Sequence, residues 1–348
     1  MHEISIEGQT GRSRILVGES LENLPKYLPD GRTVIVTDEK VGALYGDRFP
    51  AGEVITIGCG EKHKTLESLA TIYERLIETE ADRSSFIVGI GCGIVGDVTG
   101  FAASTYMRGI RFGFVPTSLL AQVDATVGGK NGVNFKGYKN MVGVFNQPDF
   151  VIADITLLKT LPPEEVACGL AEIVKHGCIA DKAYFEFIES HCDAIARLDH
   201  DTMLHLVRES VRIKAAVVNQ DEREAGERRK LNFGHTLGHA FEKTLGISHG
   251  EAVSAGMVIA AELSVGKGLL EENTLHRLKT LLERLKLPVT LSYDRQAVFQ
   301  ALKKDKKREK EHMHFVLLDA LGKAVVESIQ LNELEGWLMG SKQESFGT

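Results

Sequence analysis

The chain is short of several things, and each shortage removes a class of function. Its five cysteines (Cys59, Cys92, Cys168, Cys178 and Cys192) contain no Cys-x-x-Cys pair and form no even-numbered set. That excludes a disulfide framework and reads as reduced thiols in a cytoplasmic protein. Positive charge is in deficit, with 41 Lys and Arg against 48 Asp and Glu and a formal net charge of -7. A general nucleic-acid binder would present a basic excess, so nucleic acid is not an expected partner. No stretch approaches eighteen unbroken apolar residues, and the opening "MHEISIEGQTGRSRILVG" lacks the apolar region of a secretory signal. A membrane partner is therefore not expected either. Internal repeats and low-complexity tracts are also missing.

What is present is an ordinary globular composition, 43% hydrophobic and 26% charged, over 348 residues. That length is too great for one small core and predicts two domains. Short β-branched runs ("TVIVTDE", "EVITIG", "SFIVGIG", "RFGFVPT", "FVIAD") punctuate the first part. Between them, Leu66, Leu69, Ile72 and Leu76 recur at helical spacing. The alternation predicts an α/β domain with a parallel, Rossmann-like sheet over 1–158. From Thr160-Leu161-Pro162-Pro163 onward the pattern turns helical, with helices expected over 163–180, 182–198, 201–219, 230–245, 251–268 and 272–286. Residues 159–348 thus read as an all-α domain with a short mixed tail, in which "HMHFVLLDALGKAVV" resembles a hairpin.

Three segments carry chemistry. Gly91-Cys92-Gly93-Ile94-Val95-Gly96 follows a strand and opens a helix, the setting in which backbone N–H groups cradle a pyrophosphate. No acid follows about 20 residues later, as an ordinary dinucleotide fingerprint has. A nucleotide held in a variant arrangement fits, and so does an empty strand-to-helix turn. In "NFGHTLGHAFEKTLGISHGEAV", Asn232, His235 and His239 fall on one face of an expected helix, and His249 opens the next. "GLAEIVKHG" adds Glu172 and Lys175 one turn apart in an apolar helix, where a carboxylate needs a cation or a metal. A glutamate and two histidines make a catalytic zinc set. Spacing leaves open which two histidines bind, and a Glu172–Lys175 ion pair is the competing structural reading. Lastly, Lys130, Lys136 and Lys139 crowd a glycine-rich stretch with Asp124, Asn134 and Asn140. With Lys175, Lys214, Arg228, Lys306 and Lys307, they suggest an anion pocket for a small-molecule substrate with more than one negative group.

The ordered motifs "GCGIVGDVTGFAASTYMRG", "PTSLLAQVDATVGGKNGVN", "KNMVGVFNQP", "LLKTLPPEE", "GLAEIVKHG", "DEREAG", "LNFGHTLGHA" and "HGEAV" resemble the 3-dehydroquinate synthase family of sugar-phosphate cyclases over essentially the whole chain. The resemblance implies NAD and a divalent metal, usually zinc with cobalt as the alternative. It implies Glu172, His235 and His249 as metal ligands, and leaves His239 facing substrate. NAD would lie on Gly93, Ile94, Val95, Gly96 and Asp97, with Asp38, Glu61, Lys64, Thr117, Ser118, Lys130, Lys139 and the segment Leu157, Leu158, Lys159 and Thr160 around it. Substrate would be held by Asp124, Lys130, Asn140, Lys175, Lys214, Arg228, Asn232, His239 and Lys306 or Lys307. Catalytic roles would fall to Lys175, His239, Asn232, Asp124 and Lys130. Arg108 would reach in from a neighbouring subunit of a homodimer. The implied reaction converts 3-deoxy-D-arabino-heptulosonate 7-phosphate to 3-dehydroquinate and phosphate, by transient oxidation, elimination, re-reduction, ring opening and aldol closure. Cys92, the loop residues Phe135, Lys136 and Tyr138, His176 and Ser118 depart from the common family pattern. The alternatives are another sugar-phosphate cyclase or a metal-dependent polyol dehydrogenase of the same superfamily.

Overall fold

The computed structural model describes residues 1–303, 308–309 and 312–340. It falls into two compact units: Met1–Gly169 with Asp193–Arg228, and Leu170–Cys192 with the chain from Arg229 onward. The chain passes between units at 169–170, 192–193 and 228–229, where the sequence suggested a single boundary near 158.

The first unit is built on a seven-stranded sheet. Its strands are β1 (His2–Gly8), β2 (Gly11–Val17), β3 (Thr33–Asp38), β4 (Glu53–Ile57), β5 (Phe86–Gly91), β6 (Arg111–Pro116) and, after the separate ribbon β7 (Lys130–Phe135) and β8 (Tyr138–Phe145), β9 (Phe150–Ala153). The order is β1-β2-β9-β6-β5-β3-β4, parallel throughout except for the β1–β2 hairpin. All five β-branched runs are strands; the two hairpins lay outside the expected set. Helices α1 (Glu39–Tyr45), α2 (Leu66–Glu78) and α3 (Gly93–Thr105) make the crossovers. On α2, Leu69, Ile72 and Leu76 are buried, but Leu66, at the helix start, is 39% exposed. The central strands β3 and β5 are apolar on both faces because helices cover both. Ile35, Val88, Ile90 and Val115 pack there with Leu16, Phe150 and Leu157.

This topology fixes where a ligand can sit. The chain winds from β3 outward to β4, then returns to β5 on the other side of β3 and winds outward to β6. The crevice between the carboxyl ends of β3 and β5 is thus a topological switch point, the usual ligand position in open α/β sheets.

Helix α4 (Pro163–Ala180) starts in the first unit, and α5 (Lys182–Ser190) lies in the second; α6 (Cys192–Ala196) and α7 (His200–Gln220) follow. A break at His191 replaces the single helix expected over 182–198. The second unit continues with α8 (His235–Leu245), α9 (His249–Gly266), α10 (Glu272–Arg284) and α11 (Arg295–Leu302). It closes with strands β10 (Arg308–Glu309), β11 (His312–Ala320) and β12 (Lys323–Gln330) and helix α12 (Leu331–Gly340). Its antiparallel three-stranded sheet occupies the expected short mixed tail of an otherwise helical unit. The expected hairpin is β11–β12. Among the described residues no helix is long and apolar enough to cross a membrane.

Two backbone details matter below. A Cβ on Gly256 of α9 would lie 2.0 Å from the Gly234 carbonyl oxygen, and Gly234 itself has φ +79°. Helices α8 and α9 therefore meet at glycine, closer than any side chain permits. Beyond α3, Met107 (φ 50°) and Arg108 (φ 69°) occupy the left-handed region in succession, where L side chains are uncommon.

Candidate active site

In the second unit, Glu172 of α4 is completely buried. Its carboxylate pairs with Lys175 one turn along and faces two imidazoles. His235 Nε2 and His249 Nε2 each lie 3.4 Å from Glu172 Oε1. One ligand atom from each of the three residues falls within 4.8 Å of the others. Ligands about 2.0–2.1 Å from a tetrahedral zinc are separated by about 3.3–3.4 Å, so these edges have the length a divalent metal imposes. Neither Glu172 oxygen accepts a hydrogen bond of normal geometry. A buried carboxylate that pairs with Lys175 on one side and faces two imidazole nitrogens on the other fits a cation.

The far sides of both rings are anchored. His249 Nδ1 lies 2.6 Å from Glu242 Oε1, and His235 Nδ1 lies 3.2 Å from the Phe233 carbonyl. Such partners fix the tautomer that leaves Nε2 as the ligand atom. Burial pulls the His249 pKa down, but the nearby carboxylates of Glu172 and Glu242 outweigh it and push it up to about 10. Burial drives His235 well below its ordinary range despite Glu172. Glu172 is raised by burial, yet Lys175 and the two histidines hold it well below the usual carboxylate range.

Here the expected geometry needs one correction. Asn232 does not share a helix with His235 and His239. It ends a short 3-10 turn, and the left-handed Gly234 separates that turn from α8. His239 is exposed one turn along α8, its ring centred 5.6 Å from that of His235.

In the first unit the expected nucleotide residues gather at the switch point. Asp38 ends β3 and caps α1, accepting from Val41 N at 2.9 Å. Gly93, Ile94, Val95, Gly96 and Asp97 form the first turn of α3, after β5. Thr117 and Ser118 follow β6 and are buried, with Thr117 N donating to the Gly91 carbonyl at 2.9 Å. Lys64 is buried, and its ammonium pairs with Asp97 and reaches Asn140 Oδ1 at 2.5 Å. Burial raises the Asp97 pKa, with Lys64 opposing. Glu61 accepts from Asn134 Nδ2 at 2.8 Å, while Lys139 lies exposed on β8. Glycine at 93 and 96 also serves packing: a Cβ at 93 would meet Ala125 Cβ at 2.9 Å, and one at 96 would meet Thr126 Cγ2 at 3.1 Å. Leu157 and Leu158 are core residues of the 155–160 turn. Lys159 of that turn is exposed, and the Thr160 hydroxyl pairs with Tyr45 OH.

The anion-binding candidates of this unit are partnered. Lys214 Nζ lies 2.6 Å from both Asp124 Oδ1 and the Asp124 carbonyl. Lys130 pairs with Glu224. Arg228 is 2% exposed and donates to the carbonyls of Glu222 and Gly128 (3.0 Å to the latter). Burial lowers its pKa, with surrounding acids opposing. Arg108 is exposed on its left-handed backbone. Lys306 and Lys307 lie outside the described residues. Glu242, Glu222 and Glu224 escaped the sequence reading. Only Glu242 carried a signal, two helical turns beyond His235 and so on its face.

Comparison with known proteins identifies the relatives of this chain. Residues 54–168 match the profile of the 3-dehydroquinate synthase N-terminal domain, and residues 169–308 match that of its C-terminal domain. A curated 3-dehydroquinate synthase of Halorhodospira halophila is 47% identical over 311 residues, 87% of this chain and 88% of the relative. The chain belongs to the 3-dehydroquinate synthase family. Solved cyclases share its fold. A 2-deoxy-scyllo-inosose synthase complexed with carbaglucose-6-phosphate, NAD+ and Co2+ superposes with a TM-score of 0.87 at 27% identity, covering 97% of this chain and 99% of that one. The 2-epi-5-epi-valiolone synthase of Streptomyces hygroscopicus subsp. jinggangensis, with NAD+ and Zn2+ bound, gives 0.86 at 26% identity, covering 97% of each chain.

Proposed function

We propose that the chain is a lyase converting 3-deoxy-D-arabino-heptulosonate 7-phosphate to 3-dehydroquinate and inorganic phosphate, dependent on NAD and a divalent metal. The observation that carries this is the Glu172–His235–His249 triangle with both far ring nitrogens anchored. An all-O/N donor set of one carboxylate and two imidazoles suits zinc, with cobalt as a close substitute. The 47% identity to a 3-dehydroquinate synthase, against 26–27% to cyclases of other names, favours this substrate over another sugar phosphate.

Bound there, a divalent metal would supply Lewis acidity at the substrate C5 hydroxyl, and NAD would supply a reversible hydride acceptor. The chain's own residues position, neutralise and move protons. Glu172, His235 and His249 hold the metal, and Lys175 keeps Glu172 ionised. Lys130, Lys214 and Arg228 of the first unit take the substrate carboxylate and phosphate, with Asp124 holding Lys214 in place. Asn232 and the exposed His239 of the second unit bind hydroxyls, and a His239 ring nitrogen carries the proton moved in elimination. Asp38, Lys64, Asp97 and the start of α3 are assigned to NAD. We further assign a homodimer in which Arg108 serves the neighbouring site; its left-handed backbone supports a functional reason for that pose. Five cysteines, none in a disulfide, support a cytoplasmic location.

The test follows phosphate release from the heptulosonate phosphate with catalytic NAD, together with NADH absorbance. Phosphate without lasting NADH, abolished by a chelator and restored by zinc, is the expected result. Lasting NADH without phosphate would instead make the chain a polyol dehydrogenase.

A further inference from the structure

We propose that Glu222 is a positioning residue for Arg228 and for the turn that leads into Lys130. The proposal rests on the reading above that these two cations take the negative groups of the substrate.

Glu222 lies just past α7, in the segment "DEREAG", and is 8% exposed. Its carboxylate is aimed at the β1–β2 turn. It accepts from Gln9 N at 2.7 Å, Thr10 N at 3.3 Å, the Thr10 hydroxyl, and Gln147 Nε2 at 2.9 Å. The fit is tight enough that a Cβ on Gly8 would lie 2.2 Å from Oε1. One buried carboxylate thus ties the end of α7 to two distant parts of the unit.

Both cations depend on that anchor. The main-chain carbonyl of Glu222 accepts from Arg228 Nη1, and the Gly128 carbonyl accepts from Nη2. A Cβ on Gly128 would lie 2.6 Å from Nη2, so the guanidinium sits directly on the turn. Gln147, held by Glu222, presses on the next residue, where a Cβ on Gly129 would lie 2.7 Å from Nε2. Lys130 comes next. Asp221 closes the loop from behind, accepting from the main-chain N–H of Ala225, Gly226 and Arg228. Among the described residues no carboxylate pairs with the Arg228 guanidinium, and its buried Nε meets no acceptor. Carbonyls locate that charge, and the acids around it (Glu224, Asp124, Asp221 and Glu222) favour its charged form without a direct ion pair, so the guanidinium keeps donor capacity for an external anion. The residue that locates the carbonyls is Glu222.

The test compares NAD- and zinc-loaded wild type with Glu222→Gln, Thr10→Val and Arg228→Lys, and with Glu222→Gln combined with Arg228→Lys. Steady-state kinetics and calorimetric binding of the heptulosonate phosphate are measured on each. Glu222→Gln should raise the substrate KM and Kd about tenfold and change the NAD KM less than about twofold. In the Arg228→Lys background its further effect should shrink to under about threefold, because contacting residues do not act additively. Thr10→Val, which removes one donor and leaves the carboxylate, should weaken substrate binding about two- to fivefold; it carries the test if Glu222→Gln does not fold. Equal damage to substrate and NAD binding would overturn the proposal, as would full additivity with Arg228→Lys. An inactive wild type would overturn the functional reading itself. An active wild type with an unshifted substrate KM in Glu222→Gln would overturn only the positioning role.

Discussion

Removing the carboxylate behind His249 should loosen the metal without unfolding the chain. Glu242 Oε1 lies 2.6 Å from His249 Nδ1, and the Glu242 side chain is only 6% exposed, so the hydrogen bond is charge-assisted and shielded from water. Such a bond contributes about 1.5–3 kcal/mol, and a neutral acceptor retains roughly half of it. Glu242→Gln therefore loses about 0.8–1.5 kcal/mol of ring orientation, roughly a three- to twelvefold fall in zinc affinity. Glu242→Ala frees the ring altogether and should approach the hundredfold end of the range for outer partners of metal ligands. Competition against a chromophoric chelator measures the affinity directly, with no substrate present. Circular dichroism confirms the fold, and Lys243→Ala on the exposed side of the same helix is the control. If both Glu242 variants bind zinc like wild type while His249→Ala does not, Glu242 plays no part in orienting the ligand.

Three further outcomes follow from other parts of the molecule. Gly256→Ala puts a methyl group against the Gly234 carbonyl and should cost about 1–3 kcal/mol while also weakening zinc binding; urea midpoints and the same chelator competition would show it, and unchanged values would refute the close-approach argument. Burial, reinforced by Asp38, pushes the Cys92 thiol up to about 11, so iodoacetamide at neutral pH should modify it far more slowly than a free thiol; rapid labelling by mass spectrometry would contradict this. Burial raises the Glu222 carboxyl, but its hydrogen bonds to Thr10, Gln147 and Gln9 outweigh that and hold it below its ordinary value. The folded chain therefore releases this proton more readily than the unfolded one. Its stabilisation is present above about pH 4.3, the unfolded value, and is lost as pH falls through the lower folded value. Urea titrations of Glu222→Gln should show a shallower loss of stability on acidification than wild type, and an equal slope would count against the assignment.

The legible parts of this fold were those governed by local pattern. The runs at 33–39, 85–91, 111–117 and 150–154 are apolar because their strands are covered on both faces, whereas the edge strand at 53–57 alternates, with Val54 exposed; all five were readable. The start of α8 was not, because helical spacing runs smoothly through residue 234 while the backbone there turns left-handed. That error placed Asn232 on the wrong element. Residue spacing left open which two of His235, His239 and His249 belong together, since His235 and His239 lie one turn apart on a single helix. The arrangement with His249 depends instead on α8 and α9 meeting at Gly234 and Gly256, a contact between positions that no local period connects. The family resemblance named His249, and the geometry then showed why both rings point the same way. Glu222 and Gln147 were invisible for the same reason: their partners lie at residues 8–10 and 128–129, far along the chain.

The left-handed pair Met107 and Arg108 has a consequence for anyone selecting sturdier variants of this chain. Each residue stores about 1–3 kcal/mol of backbone strain, which glycine would release at a smaller cost in chain entropy, roughly 0.5–1 kcal/mol. A directed-evolution screen scored on heat tolerance would therefore enrich Arg108→Gly early. On the proposed reading, each such winner would deprive the neighbouring subunit of a guanidinium. Thermal survivors and catalytically competent clones would then part company at this corner, and only a selection that demands growth on the product would retain the arginine.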